Sequence, residues 1–152
     1  MPATANLDRL LHDLQTTLDA MPPVAAMGIR IAGYDNGALR LVAPLAANVN
    51  DKGNAFGGSL TSVMTLAGWA LVSLRLSLAG QAAEVYVADS SIRYRAPVYG
   101  DLDASARAAP GEDWDAFIEQ FDKRGRARVA VRAQIDGGAA ELEGRFGALA
   151  KS

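Results

Sequence analysis

The chain of 152 residues contains no cysteine and a single histidine, His12. The absence of cysteine excludes disulfide bonds, thiolate nucleophiles and cysteine-based metal sites. A lone histidine near the N-terminus also rules out a histidine-based triad or a two-histidine metal site within one chain. The sequence therefore implies neither a metal ion nor an organic cofactor.

The chain also has little net charge. Its formal charge of −2 at pH 7 gives no electrostatic argument for binding nucleic acid or an anionic membrane. Because 50% of the residues are hydrophobic and 21% are charged, the composition is that of a globular protein. We predict a single domain over residues 1–152, with an N-terminal helix and linker in 1–23 and a core in 27–148. No basic segment precedes an apolar one at the N-terminus, so we predict no signal peptide and expect a cytoplasmic protein.

One apolar segment, Ala55 to Gly80, is long enough to cross a membrane, which takes about 20 residues. Several serine and threonine residues and Arg75 interrupt it, and the chain after Gln81 has the pattern of amphipathic strands. A helix that is apolar on all sides can equally be the buried centre of a soluble domain. The sequence favours that interpretation.

The remaining pattern predicts one more helix and a series of strands. Leucines at helical spacing predict a helix over Asn6 to Ala20 with Asn6 as its N-cap, and Asn36-Gly37 predicts a hairpin turn. The predicted strands are Met27 to Tyr34, Ala38 to Ala43, Glu84 to Arg95, Leu102 to Ala109, Trp114 to Phe121, Arg126 to Ile135 and Ala140 to Ala148. We therefore predict an α+β fold in which a curved antiparallel sheet wraps around the long helix.

The start of the long helix is the best candidate for a functional site. Gly57 and Gly58 lie at the junction between a polar turn and the helix, where glycine lets a ligand approach the backbone. The free N–H groups of a first helical turn carry the positive end of the helix dipole. They can bind a carbonyl oxygen that becomes negative during a reaction. The alternative is that both glycines only permit close packing of the helix on the sheet.

The order and spacing of four features resemble a hotdog-fold thioesterase over about four fifths of the chain. The features are Asn50-x-x-Gly53-x-x-x-Gly57-Gly58, the apolar helix, Ile92 to Val98 followed by Gly100-Asp101, and the terminal strands. The amino-acid sequence of the helix is most similar to that of a thioesterase domain that some bacteria carry C-terminal to a GNAT-type acetyltransferase. The resemblance implies hydrolysis of acyl thioesters on coenzyme A or acyl carrier protein. It also implies a homodimer or a dimer of dimers, with the acyl chain between subunits.

The resemblance suggests roles for particular residues. With Gly57 as the oxyanion donor, Asn50 would hold water or the carbonyl, unless it only caps its own turn. Thr65 stands where related enzymes often have an acidic residue; it would hold water, unless its side of the helix is small only for packing. Asp89 is the substitute base, with a sheet-edge charge or a local hydrogen bond as the alternative. The predicted substrate-binding residues are Phe56, Gly58, Ser59 and Trp69.

Two other functions compete with hydrolysis. Related enzymes often have histidine at the position of Phe56, and the loss of that histidine and of the acid at Thr65 is consistent with a module that binds acyl thioesters without turnover. An acyl dehydratase or hydratase on the same fold would need a histidine paired with an acid. His12 lies in the wrong segment for that chemistry, so this function is disfavoured.

Overall fold

The computed structural model describes residues 2–151 and the side chains of residues 5–151. The α-helices in this part are α1 (Pro2–Asp19), α2 (Pro22–Met27), α3 (Gly57–Leu78) and α4 (Trp114–Arg124). The strands are β1 (Arg30–Asp35), β2 (Ala38–Ala43), β3 (Ala83–Tyr94), β4 (Leu102–Ala108), β5 (Arg126–Ile135) and β6 (Ala140–Ala150). They form one antiparallel sheet in the order β1-β2-β4-β5-β6-β3.

The helix α3 lies against one face of this sheet and contacts five of its strands, β2 to β6. Alternate residues of β5 are buried, as expected for a strand with one face on a core. Although α3 has the length and composition of a membrane span, 61% of its most apolar window is buried inside the structure. The predicted α+β fold, with an antiparallel sheet around a central helix, is therefore confirmed.

A glycine in the middle of α3 receives the largest buried side chain of the sheet. Phe146 of β6 is fully buried, and a Cβ built at Gly68 would lie 2.5 Å from its Cζ atom. The phenyl ring thus occupies the space that any side chain at position 68 would fill. The absence of a side chain at Gly68 lets the helix lie close to the sheet. At this position the small residue therefore serves packing, which is the alternative given above for the side of the helix that carries Thr65.

The segment Trp114 to Phe121, predicted as a strand, is instead part of helix α4, so that prediction is wrong. The apolar residues at positions 114, 117, 118 and 121 recur at the helical spacing i, i+3, i+4, i+7, and Phe117 and Phe121 are both buried. The side chain of Asp113 accepts a hydrogen bond from the amide of Asp115 at 2.9 Å and caps the helix. Gly125, with φ of 70°, ends it.

The N-terminal boundaries also differ from the prediction. Helix α1 begins at Pro2, so Asn6 lies inside it and is not its N-cap. The strand predicted from Met27 begins at Arg30, because the preceding residues form the short helix α2. That helix ends at Gly28, whose φ of 68° is a conformation that suits glycine. The other strands lie within one or two residues of their predicted bounds.

The two edges of the sheet are protected differently. At β1, the side chain of Gln15 accepts a hydrogen bond from the amide of Ile31 at 2.7 Å and donates one to the carbonyl of Ile29 at 3.0 Å. Helix α1 thus covers that edge. The other edge, β3, is 12 residues long and mostly exposed. Since long uncovered edge strands are templates for pairing, β3 is the edge available to a second chain.

We predict that Gly68→Ala destabilises the protein, although alanine normally favours a helix over glycine by roughly 1 kcal/mol. The added methyl group would displace the ring of Phe146, and overpacking of this kind costs about 1–3 kcal/mol. We expect a net loss of about 1–2 kcal/mol in urea unfolding. Ser77→Ala, at an exposed position of α3, is the control. A Gly68→Ala protein as stable as the wild type would contradict the close contact.

Candidate active site at the start of the central helix

The first turn of α3 has unused backbone donors. Its N-cap residue is Phe56, whose side chain cannot accept a hydrogen bond, so the helix has no side-chain cap. No acceptor within residues 2–151 takes a hydrogen bond from the amide of Gly57 or of Gly58. Gly57 is partly exposed and Gly58 is exposed. Two adjacent N–H groups at the positive end of a 22-residue helix are therefore open to a ligand.

The segment before the helix is tied firmly to the core. The buried side chain of Asn48 donates hydrogen bonds to the carbonyl oxygens of Met27 at 2.9 Å and Pro44 at 2.8 Å. The backbone carbonyl of Asn48 accepts from the amide of Phe56 at 2.7 Å, and the amide of Ala55 donates to Val98 at 2.8 Å. These bonds fix the residue that precedes Gly57, so the two free amides have a fixed orientation.

A tyrosine from β3 forms one wall of this site. The hydroxyl of Tyr94 lies 2.5 Å from the hydroxyl of Thr61, one helical turn beyond Gly57. It is also 3.5 Å from the carbonyl oxygen of Gly57. A Cβ built at Gly57 would be 3.7 Å from the tyrosine ring. Tyr94 lies inside the Ile92 to Val98 motif, but no local sequence pattern indicates a role for it.

Aromatic and aliphatic side chains around the helix start are unusually exposed. Phe56 is 56% exposed, Tyr94 57%, Tyr99 69% and Val49 47%. Isolated exposed apolar residues are common on protein surfaces, but several together indicate a binding or interaction surface. The free amides of Gly57 and Gly58 lie beside this apolar surface.

The structure uses Asn50 within its own loop. Its Oδ1 atom accepts hydrogen bonds from the amides of Lys52 at 2.8 Å and Asn54 at 3.2 Å. Its Nδ2 atom donates to Oδ1 of Asn54 at 2.7 Å. The side chain therefore caps the turn, which is the alternative considered for it, and is not directed to Gly57.

Asp89 lies on the outer face of the sheet, away from α3. It pairs across the strands with Arg145, while Val87 pairs with the buried Phe146 on the inner face. Its carboxylate accepts hydrogen bonds from Arg145, which lower the pKa of Asp89. Within one chain, the structure does not bring this carboxylate to Gly57. The placement agrees with the alternative of a charge on the sheet surface.

The remaining predicted residues lie along α3. Ser59 is buried. It lies two residues before Thr61, which is more than half a turn of the helix, so it does not line the exposed side that carries Thr61. Thr65 is partly exposed and has no hydrogen-bond partner among the described residues, but it lies about 12 Å along the helix from Gly57. Trp69 is partly buried and donates to the carbonyl of Val85 on β3 at 3.1 Å.

A separate groove of about 600 Å³ lies on the outer face of the sheet. Its lining includes Arg93, Arg107, Arg132, Glu141 and Glu143, and none of the predicted site residues. The sheet separates it from α3, so the free amides do not open into it. Within residues 2–151, no three His, Asp or Glu side chains are grouped to hold a metal ion.

A model of the family described as "Putative thioesterase (yiiD_Cterm)" matches residues 11–150. This chain belongs to that thioesterase family. The predicted link to acetyltransferases stays a prediction.

Solved structures of similar proteins agree with this assignment. A protein of unknown function from Chlorobaculum tepidum TLS is 31% identical, with a TM-score of 0.88 over 95% of this chain and 96% of that chain. A "putative thioesterase" from Shewanella oneidensis is 29% identical, with a TM-score of 0.84 over 95% of this chain and 99% of the other. A Pseudomonas aeruginosa protein at 23% identity and a TM-score of 0.72, covering 92% and 95%, shares the fold.

We predict that Phe56→Asp stabilises this thioesterase-family protein. An aspartate at the N-cap would accept a hydrogen bond from the free amide of Gly58 and interact favourably with the helix dipole, which is worth about 1 kcal/mol. Phe56→Ala, which removes the ring without adding a cap, is the matched control. Chemical unfolding of the two variants measures the difference. Equal stability of the aspartate and alanine variants would show that these amides are already satisfied.

Proposed function

We propose that the protein hydrolyses acyl thioesters of coenzyme A or acyl carrier protein, with the amides of Gly57 and Gly58 as its oxyanion site. The observation that carries the proposal is the uncapped start of α3 described above. A helix without an N-cap is less stable by roughly 1 kcal/mol. Its free backbone N–H groups can donate hydrogen bonds to a developing negative charge. Membership in a thioesterase family supports a thioester as the group that carries this charge.

The proposed reaction needs few groups. The thioester oxygen accepts hydrogen bonds from the two glycine amides, and the oxygen of a water molecule attacks the carbonyl carbon. The electron pair of the C=O bond moves to the oxygen and forms an oxyanion, which the helix start stabilises. When the C=O bond re-forms, the C–S bond breaks, and the thiol leaves with a proton that derives from the water. The products are a carboxylic acid and a thiol.

The proposal includes a homodimer formed through β3, or a dimer of dimers. This edge carries Val87, which is 42% exposed, and the aromatic surface near Tyr94 continues from it. A second chain would satisfy the backbone groups of the edge and cover this surface. The acyl chain would then lie between subunits, along the partly exposed side of α3 that carries Thr65 and Trp69.

One observation favours the second candidate, a module that binds acyl thioesters without turnover. The carboxylate of Asp89 is on the outer face, and among the described residues no Asp, Glu or His side chain is hydrogen-bonded to Thr61, Thr65 or Tyr94. A site without a base nearby can bind a thioester and still react slowly. Binding and turnover must therefore be measured separately.

The test is to incubate the protein with acyl-CoAs of graded chain length and with an acyl carrier protein, and to follow release of free thiol. Phe56→Asp is the informative variant, because its carboxylate would accept a hydrogen bond from the Gly58 amide and place a negative charge where the oxyanion forms. We expect it to lose about 10²–10³ in kcat/KM, the cost of losing such a donor, while it remains folded and stable. Phe56→Ala also loses the exposed ring but adds no carboxylate, so its activity should stay well above that of Phe56→Asp.

The outcomes separate the two functions. If wild-type protein releases thiol and Phe56→Asp does not, the oxyanion site is supported. If the wild-type protein binds a non-hydrolysable thioether analogue but releases no thiol from any acyl carrier, the binding module is correct. Full turnover by Phe56→Asp would remove the glycine amides from the mechanism.

We also predict that Val87→Lys converts the protein to a monomer with little activity, because a charge on the β3 edge opposes strand pairing. Leu149→Lys is the control: Leu149 is 43% exposed, but it lies on β6, which is not an edge strand. Molar mass by light scattering, measured with activity over a range of concentrations, checks both variants. An active monomer would contradict a site shared between subunits.

A further inference from the structure

Two hydroxyl groups meet beside the start of α3. Tyr94 and Thr61 approach to 2.5 Å, which is a short O–H···O hydrogen bond. The two side chains come from residues 33 apart in sequence and join β3 to α3. Tyr94 is the last residue of its strand. The amide of the next residue, Arg95, donates a hydrogen bond to the carbonyl oxygen of Ala139 at 2.8 Å. The tyrosine hydroxyl therefore has a fixed position.

This position is close to the backbone of Gly57. The hydroxyl of Tyr94 is 3.5 Å from the carbonyl oxygen of Gly57, and the tyrosine ring packs against the same residue. Thr61 follows Gly57 by four residues, or about 6 Å of helix, on the same side. Thr65 is one turn further along. Of the hydroxyl side chains on this side of α3, Thr61 is therefore the one that can act together with the Gly57 amide in the same chain.

The hydroxyl pair has unused hydrogen-bonding capacity. Each hydroxyl has one donor and two acceptor positions, and the bond between the two groups uses one donor and one acceptor. Tyr94 is 57% exposed, so its oxygen remains open to a water molecule. A water that donates one O–H to this oxygen keeps a lone pair for attack on a carbonyl carbon. The carbonyl oxygen would meanwhile be held by the Gly57 amide.

We propose that Tyr94 holds the attacking water beside Gly57, and that Thr61 is a positioning residue that fixes the tyrosine hydroxyl. This inference rests on the proposed thioester hydrolysis and names the groups that orient its nucleophile. It replaces Asn50 and Asp89, whose side chains are committed to the loop and to Arg145. Thr65 then lines the path of the acyl group.

The experiment compares Tyr94→Phe, which removes only the hydroxyl, with Thr61→Val, which removes the partner and keeps its shape. We expect kcat to fall roughly 100-fold in Tyr94→Phe, the scale of loss when a reacting group is misplaced, while KM changes by less than about threefold. Thr61→Val should lose less, and Thr61→Ser should regain most of the loss. The double variant should be no slower than Tyr94→Phe, because both changes remove the same water site.

Tyr34→Phe is the matched control, since Tyr34 lies on β1 at the opposite edge of the sheet and its hydroxyl also has a hydrogen bond, accepted from Arg75 at 3.1 Å. It should behave like the wild type. Binding of a thioether analogue, which needs no attacking water, should be unchanged in Tyr94→Phe; weakened binding would show that the residue holds the substrate instead.

Two results would overturn the inference, and they can be told apart. Unchanged kcat in Tyr94→Phe, together with lost activity in Phe56→Asp, would reject the role of Tyr94 and leave thioester hydrolysis in place. A wild-type protein that binds the thioether analogue but never releases thiol would reject hydrolysis and, with it, any water-holding role.

Discussion

The free amides at the start of α3 are the constraint on which the rest of this site depends. A surface helix normally satisfies its first donors with a polar N-cap, whereas here Phe56 leaves those of Gly57 and Gly58 open. The protein can keep this arrangement because the turn before the helix is held by other bonds, mainly those of the buried Asn48. The stability that a cap would supply is given up at a position where a ligand can use the donors.

The burial of α3 gives this helix start its fixed direction. The ring of Phe146 fits against Gly68, and strands on both sides of β6 cover the same helix. Since the helix cannot shift on the sheet, the free amides and the hydroxyl pair of Tyr94 and Thr61 keep their relative positions. A rigid helix and strand are better supports for such groups than a loop, because reacting atoms tolerate displacements of only about 0.5 Å.

Much of the fold could be predicted from local pattern, and some of the site could not. The strict alternation of apolar and polar residues predicted β5, and Asn36-Gly37 predicted the turn of the β1–β2 hairpin. Helix α4 was not predicted because Trp114 to Phe121 also fits a period of two, although its apolar residues at 114, 117, 118 and 121 have helical spacing. Asn50 and Asp89 were selected by residue type, and the structure shows that their polar atoms have other partners.

The sequence by itself determined the apolar central helix, the paired glycines that begin it and the absence of thiol chemistry and of a histidine-based triad within one chain, since these follow from composition and short-range spacing. The tertiary structure decided that Tyr94 meets Thr61, that Asp89 faces away from α3 and that β3 is the open edge. Those outcomes depend on strand register and on which elements cover one another. Register sets the face of every side chain in a strand, and contacts between distant segments are not encoded in local pattern.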